Sequence, residues 1–137
     1  YSINKSNEDF FLNLNTLDEY DLNVKEAFLN NLQKLVELSK DFNAIPIFIS
    51  QRSSRWEKKE DKIYTVGNIN FYFKEKILSE AMINYCNLNN LICVDLFENL
   101  NLTRKDTYDL LHLNPKGSDK VAGAIYQEIK DKINISN

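Results

Sequence analysis

Glycine is the first shortage: the 137-residue chain has three, Gly67, Gly117 and Gly123. No Gly-rich loop can bring backbone amides against a phosphate, which excludes a Walker loop and a dinucleotide fingerprint. The Gly-x-Ser-x-Gly elbow of whole α/β-hydrolases is missing too. Histidine is scarcer, with His112 alone, and the cysteines are two, Cys86 and Cys93. That set cannot make a structural zinc tetrahedron, and the carboxylates show no EF-hand spacing, so no metal site and no cofactor is expected. The cysteines fall in two different predicted elements and read as reduced packing thiols rather than a disulfide. No run approaches the roughly 20 apolar residues that span a bilayer, and no signal-like apolar region opens the chain. The expectation is a soluble protein without a transmembrane segment, cytoplasmic by default. Positive charge is short as well: the net charge is −3, with no basic stripe, which argues against nucleic acid as a partner.

What is present describes an ordinary globular domain. Hydrophobic residues make up 43% and charged residues 27%, inside the usual range, and the length suits one domain over 1–137. Asparagine is abundant, as in Asn30-Asn31 and Asn89-Asn90, which an AT-rich coding sequence explains. Residues 1 to 20 carry an apolar patch at Phe10, Phe11 and Leu12 but no period, and are read as irregular. From Asp21 the residues Val24, Phe28, Leu32, Leu35, Val36 and Phe42 recur at three- and four-residue steps and predict one face of a helix. The run IPIFIS, 45 to 50, predicts a strand buried on both faces, with Pro46 tolerable near its start. QRSSRWEKKEDK, 51 to 62, reads as a charged loop leaving that strand. Residues 71 to 88 are helical again, with Phe73, Ile77, Ala81, Met82 and Tyr85 on one stripe. LICVD, 91 to 95, predicts a second buried strand, ending at Asp95 in a cap or turn role. A last helix opens at Pro115 behind an Asn114 cap and faces Val121, Ala122, Ile125, Ile129 and Ile133 to the core. Strands alternating with helices predict an α/β domain with a parallel sheet. Two strands make a poor sheet, so the others are expected from residues 1 to 20 or from outside this chain.

The one histidine lies in DLLHLNPKG, residues 109 to 117. A serine hydrolase needs an imidazole to take the hydroxyl proton and return it to the leaving group. It also needs a carboxylate to hold the ring's tautomer and stabilise the imidazolium. Asp109, three positions before His112, can bend back in a turn to accept the proton on Nδ1, leaving Nε2 outward. The turn follows the second strand, and open α/β sheets place ligands outside the carboxyl ends of their strands. The plainer reading is an exposed loop histidine beside a chance aspartate.

Asp109-Leu110-Leu111-His112-Leu113-Asn114-Pro115-Lys116-Gly117, followed by Val121-Ala122, resembles the last conserved block of SGNH (GDSL-type) hydrolases. The resemblance implies a three-layer α/β/α sandwich with a parallel sheet, with Asp109 as orienting carboxylate, His112 as general base, and structural roles for Gly117 and Ala122. It implies cleavage of a carboxylic ester, such as an acyl or acetyl group on a lipid or carbohydrate, without a cofactor. The family's Gly-Asp-Ser nucleophile block does not occur in this chain, nor does a Gly-x-Asn-Asp of the oxyanion hole. The resemblance covers the C-terminal part of the fold, from Asp21 onward. It implies that the nucleophile and the first strands belong to an N-terminal half, either preceding Tyr1 or carried by a separate chain.

Ser50, Ser53 and Ser54, at the carboxyl edge of the first predicted strand, are the candidates for a substitute nucleophile, although nothing there supplies oxyanion amides. In the same segment Arg52 and Arg55 offer bidentate donors for a carboxylate or phosphate, and Trp56 offers a face for a sugar or acyl group. Against this substrate-binding reading stands a solvated loop whose cations answer Glu57, Glu60 and Asp61. Two further readings compete with the hydrolase: a non-catalytic domain of the same ancestry that binds a ligand or partner, and a flavodoxin-like binding domain whose Asp-x-x-His is accidental.

Overall fold

The computed structural model describes residues 19–60 and 62–133. The apolar patch at Phe10–Leu12, most of the stretch read as irregular, and Asp61 lie outside them. The first helix, α1 (Glu19–Asp41), starts slightly ahead of the predicted point. It buries Leu32 and Val36, with Phe28 and Leu29 packed beside them, three- and four-residue steps that make one stripe. Val24, Leu35 and Phe42, expected on that face, are exposed instead. The stripe is narrower than the apolar sequence, and Phe42 lies past the helix end, 76% exposed.

The helix stops in a Schellman turn. Asn43 takes φ 52°, its N–H meets Lys40 O at 3.0 Å, and Ala44 N–H meets Ser39 O at 2.8 Å. Pro46 follows, and the chain enters β1 (Ile47–Ile49), shorter than the predicted run. Its partner β4 (Ile92–Val94) pairs in parallel, Ile47 against Ile92, Phe48 against Cys93 and Ile49 against Val94. Side chains alternate across a strand, and the packing follows. Phe48 and Cys93 join Leu32, Val36 and Met82 beneath the first two long helices. Ile47 and Val94 join Leu96, Leu100 and Leu102 beneath the last.

The charged segment after β1 departs from expectation. Part of it forms an antiparallel hairpin, β2 (Trp56–Lys59) with β3 (Lys62–Thr65). Its Glu-Lys-Lys run conceals the strand, because charges on the open face of a hairpin read as loop. The anchor is Trp56, 4% exposed, its ring 4.9 Å from Tyr72 and 4.7 Å from Phe97.

Helix α2 (Asn70–Asn89) buries Ala81, Met82 and Cys86, in keeping with the predicted stripe. It ends at Asn90, φ 53°, whose N–H bonds Cys86 O. With so few glycines, asparagine fills both left-handed helix ends, the next best residue there. Cys86 and Cys93 are joined as a disulfide with Cα atoms 6.2 Å apart, which corrects the expectation of reduced thiols. They do lie in different elements, but packing of α2 on β4 brings them together.

A short helix α3 (Leu96–Asn99) is capped by Asp95, whose carboxylate accepts from Glu98 N, the cap role expected of it. After a 3-10 turn at Arg104–Asp106, α4 (Pro115–Ile129) begins as predicted, with the Asn114 side chain accepting from Gly117 N and Pro115 in the first turn. Its packed face is Val121, Ala124, Ile125 and Ile129. Ala122, expected inward, is exposed; Ala124 and Ile125 hold the helical phase set by Val121. Among the described residues the protein is thus a mixed α/β structure of four helices with a two-stranded parallel sheet and a hairpin. No helix among them is long and apolar enough to cross a membrane.

Candidate functional site

Between the 3-10 turn and α4 the chain makes a closed excursion. Its neck is a bridge from Thr107 to Leu113, tightened by Tyr108 N–H on His112 O at 2.8 Å and Asn114 N–H on Asp106 O at 3.1 Å. Inside it Asp109 folds back on the residues that follow. Its Oδ1 accepts the amides of Leu111 and His112, each at 2.7 Å. Its Oδ2 stands 2.6 Å from His112 Nδ1. The backbone amide of His112, then its ring N–H, then the Leu111 amide hold the Asp109 carboxyl well below the usual carboxylate range. Three donors on one carboxylate explain the direction. The His112 side chain is 78% exposed. The pair therefore has the geometry the spacing anticipated: Nδ1 engaged by a carboxylate, and an imidazole edge open to solvent.

The excursion is fastened at its root by a buried ion pair that the sequence did not disclose. Asp106 is fully buried. Its Oδ2 accepts from Lys120 Nζ at 2.7 Å, Thr103 Oγ1 at 2.9 Å and Thr103 N at 3.0 Å. Its Oδ1 has no hydrogen bond and faces Lys116 Nζ at 3.9 Å. Burial alone would raise this carboxyl's pKa, but the Lys120 ammonium and the Thr103 donors outweigh it and hold it down to about 2. The legible signal was Thr103-x-x-Asp106, a capping-box pattern, which the structure does contain. Gly117 packs on the same spot. A Cβ there would collide with the Asp106 carbonyl oxygen and lie 3.2 Å from Leu113 Cδ2. Close approach of helix and loop, not a turn, makes the glycine necessary.

The three serines after β1 do not meet the imidazole. Ser50 Oγ donates to Asp95 Oδ1 at 3.1 Å and accepts from Phe97 N at 3.0 Å. Ser53 Oγ accepts from Arg55 N. Ser54 Oγ is taken up by Thr107 Oγ1 at 2.8 Å and by the carbonyls of Asp109 and Leu110. All three are buried, which removes them as substitute nucleophiles in this arrangement.

The cations of that segment divide. Arg52 is buried, and its guanidinium lies over the Trp56 ring at 3.3 Å from the centroid. It donates to Leu100 O at 3.1 Å, to Trp56 O at 2.9 Å and to Ser53 O. Burial pulls its pKa down to about 10, still charged at neutral pH. Trp56 Nε1 donates to Glu75 Oε2 at 2.9 Å. Arg52 and Trp56 thus hold the hairpin and are not solvated, and both also line a cleft of about 390 Å³ between the hairpin and α3, together with Tyr72, Phe97 and Glu98. Arg55 is different: half-buried over the Phe71 ring at 4.1 Å, it borders a cleft of about 400 Å³ at the carboxyl end of β1. Ile49, Phe71, Leu78, Met82 and Leu111 supply the apolar lining. Leu111 immediately precedes His112, so the cleft adjoins the pair. Its size falls within the roughly 300–1,000 Å³ of small-molecule sites.

Among the described residues no group of three or more histidine, cysteine or carboxylate side chains is placed to hold a metal ion. No family model, curated protein or solved structure matches the chain.

Proposed function

We propose that this chain supplies the general-base half, His112 and Asp109, of an SGNH-type serine ester hydrolase, with the serine outside the chain. The observation that carries the reading is the 2.6 Å contact of Nδ1 with an aspartate whose second oxygen is locked by two backbone amides. Such a carboxylate fixes the Nδ1–H tautomer and leaves the Nε2 lone pair as the base. The serine proton would pass to Nε2 while the serine oxygen bonds the ester carbonyl carbon. Collapse of the tetrahedral adduct expels the alcohol, which takes the proton back. Water, deprotonated by the same nitrogen, then releases the acid. The adjoining cleft offers an apolar wall for the acyl group, with the Arg55 cation at its rim.

The wider architecture proposed is the three-layer sandwich, completed by strands from outside this chain. Supporting it, Ile49 in the parallel pair is exposed, as are Leu35 and Leu38 on α1 and Phe42 and Ile45 in the connection between α1 and β1. Parallel sheets normally have both faces covered and more than two strands.

The burial of Ser50, Ser53 and Ser54 favours a second reading, a ligand-binding domain that keeps the pair without the reaction. Intact mass of the native protein before and after a fluorophosphonate probe separates the two. An adduct on an additional N-terminal segment or a companion chain supports the hydrolase. No adduct, and no mass beyond this chain, leaves the binding reading.

A further inference from the structure

We propose that Ser54 is a positioning residue for the imidazole–carboxylate pair, its hydroxyl holding the turn that carries Asp109 and His112 against the segment leaving β1. The inference rests on the proposed role of that pair and extends it to a residue far away in the chain.

The pair's own contacts are local. They close the ring on the carboxylate only while the backbone of Asp109 keeps its place, and the contact that holds that backbone from outside the turn is the Ser54 hydroxyl on the Asp109 carbonyl. Ser54 makes four contacts in all. Its amide donates to Leu110 O at 3.1 Å. Its hydroxyl lies 2.8 Å from Thr107 Oγ1, 3.3 Å from Asp109 O and 3.4 Å from Leu110 O. A hydroxyl has one proton. Directed at the two carbonyls, it leaves Ser54 Oγ to accept from the Thr107 hydroxyl, so every group in the set is satisfied. Ser54 is 1% exposed, and no solvent stands ready to replace it. Removing the hydroxyl strands the Thr107 donor and the Asp109 carbonyl at the base of the turn. Buried polar groups left in that state are costly, and the turn would shift to recover partners.

The chain's only histidine makes the test direct, since its two ring nitrogens give the only imidazole signals in a nitrogen-15 spectrum. Neutral histidine in water favours the Nε2–H tautomer, and a carboxylate on Nδ1 reverses that preference. The native protein is expected to show mainly the Nδ1–H form, and Asp109→Ala mainly the Nε2–H form. Ser54→Ala is expected to lower the Nδ1–H to Nε2–H ratio, with about fivefold, the weight of one hydrogen bond, as the ceiling, while thermal unfolding stays cooperative. Thr107→Ser keeps a hydroxyl and is expected to keep the native ratio. If Ser54→Ala does not fold, Ser54→Cys, which keeps a side chain of similar size but is only a weak donor, is the substitute and should move the ratio the same way. A native ratio in Ser54→Ala or its substitute, with the Asp109→Ala shift present, overturns the role of Ser54 and leaves the pair intact. No shift even in Asp109→Ala overturns the pair itself, and the positioning role with it.

Discussion

Asp106 shows how one side chain can matter more to this site than its visibility in the sequence suggests. Its carboxyl is depressed from 3.8 to about 2. A group with a depressed native pKa contributes stability that is complete above the unfolded value and lost as pH falls through the native one. Between about pH 4 and pH 2 the unfolded chain binds the extra proton first, so stability must fall with acid in that window. Asp106→Asn should flatten this part of the curve, read as urea midpoints across pH. Asp106→Ala at neutral pH strips the partner from Lys120. Because Lys120 can reach water, the loss should be about 2 kcal/mol, below the usual range for breaking a fully buried pair. Gly117→Ala belongs to the same contact. Its methyl would enter the Asp106 carbonyl, and the separation it forces should cost about 2–3 kcal/mol, seen as a lower midpoint with the denaturant slope unchanged. Asp109 needs no such support for its charge. Its three donors come from its own turn, which is why the spacing alone was enough to anticipate the contact.

Helix ends are where the composition and the fold meet. A chain with three glycines still has to close helices in the left-handed region, and Asn43 and Asn90 do it at φ 52° and 53°. Asn90→Ala places a Cβ-bearing residue without a compensating amide there and should destabilise by about 1 kcal/mol, whereas Asn90→Gly should be neutral or stabilising. Thermal midpoints of the two variants against the native protein provide the comparison. Abundant asparagine was readable; that two asparagines would stand in for absent glycines was not, because the left-handed position depends on where packing ends the helix. The hairpin was missed for a related reason. Its lysines face solvent, and its buried anchor, Trp56, shows its purpose only beside Tyr72 and Phe97.

Across the molecule, Trp56 is also a reporter, being the single tryptophan and buried where hairpin, α2 and α3 meet. If the hairpin folds with the parallel pair, tryptophan emission and far-ultraviolet circular dichroism should give one coincident urea transition. Two separated transitions would mean that the hairpin opens independently. The Arg52 guanidinium, clamped between that ring and three backbone carbonyls, couples the hairpin to the exit of α3 and argues for the single transition.

The order of the three long helices and the two parallel strands, the Asn114-Pro115 helix start and the closing of Asp109 onto His112 were determined by the sequence itself, because each depends on residues within a few positions of one another. Burial of Arg52 and Trp56, the joining of Cys86 to Cys93, the Asp106–Lys120 pair and the hold of Ser54 on the turn were decided only by the tertiary structure. Each joins elements whose approach is set by the summed packing of many side chains, and no local period encodes that sum. Part of the segment expected to greet a substrate, Arg52 to Ser54 and Trp56, was therefore turned inward, while Arg55 stayed at the cleft beside the pair.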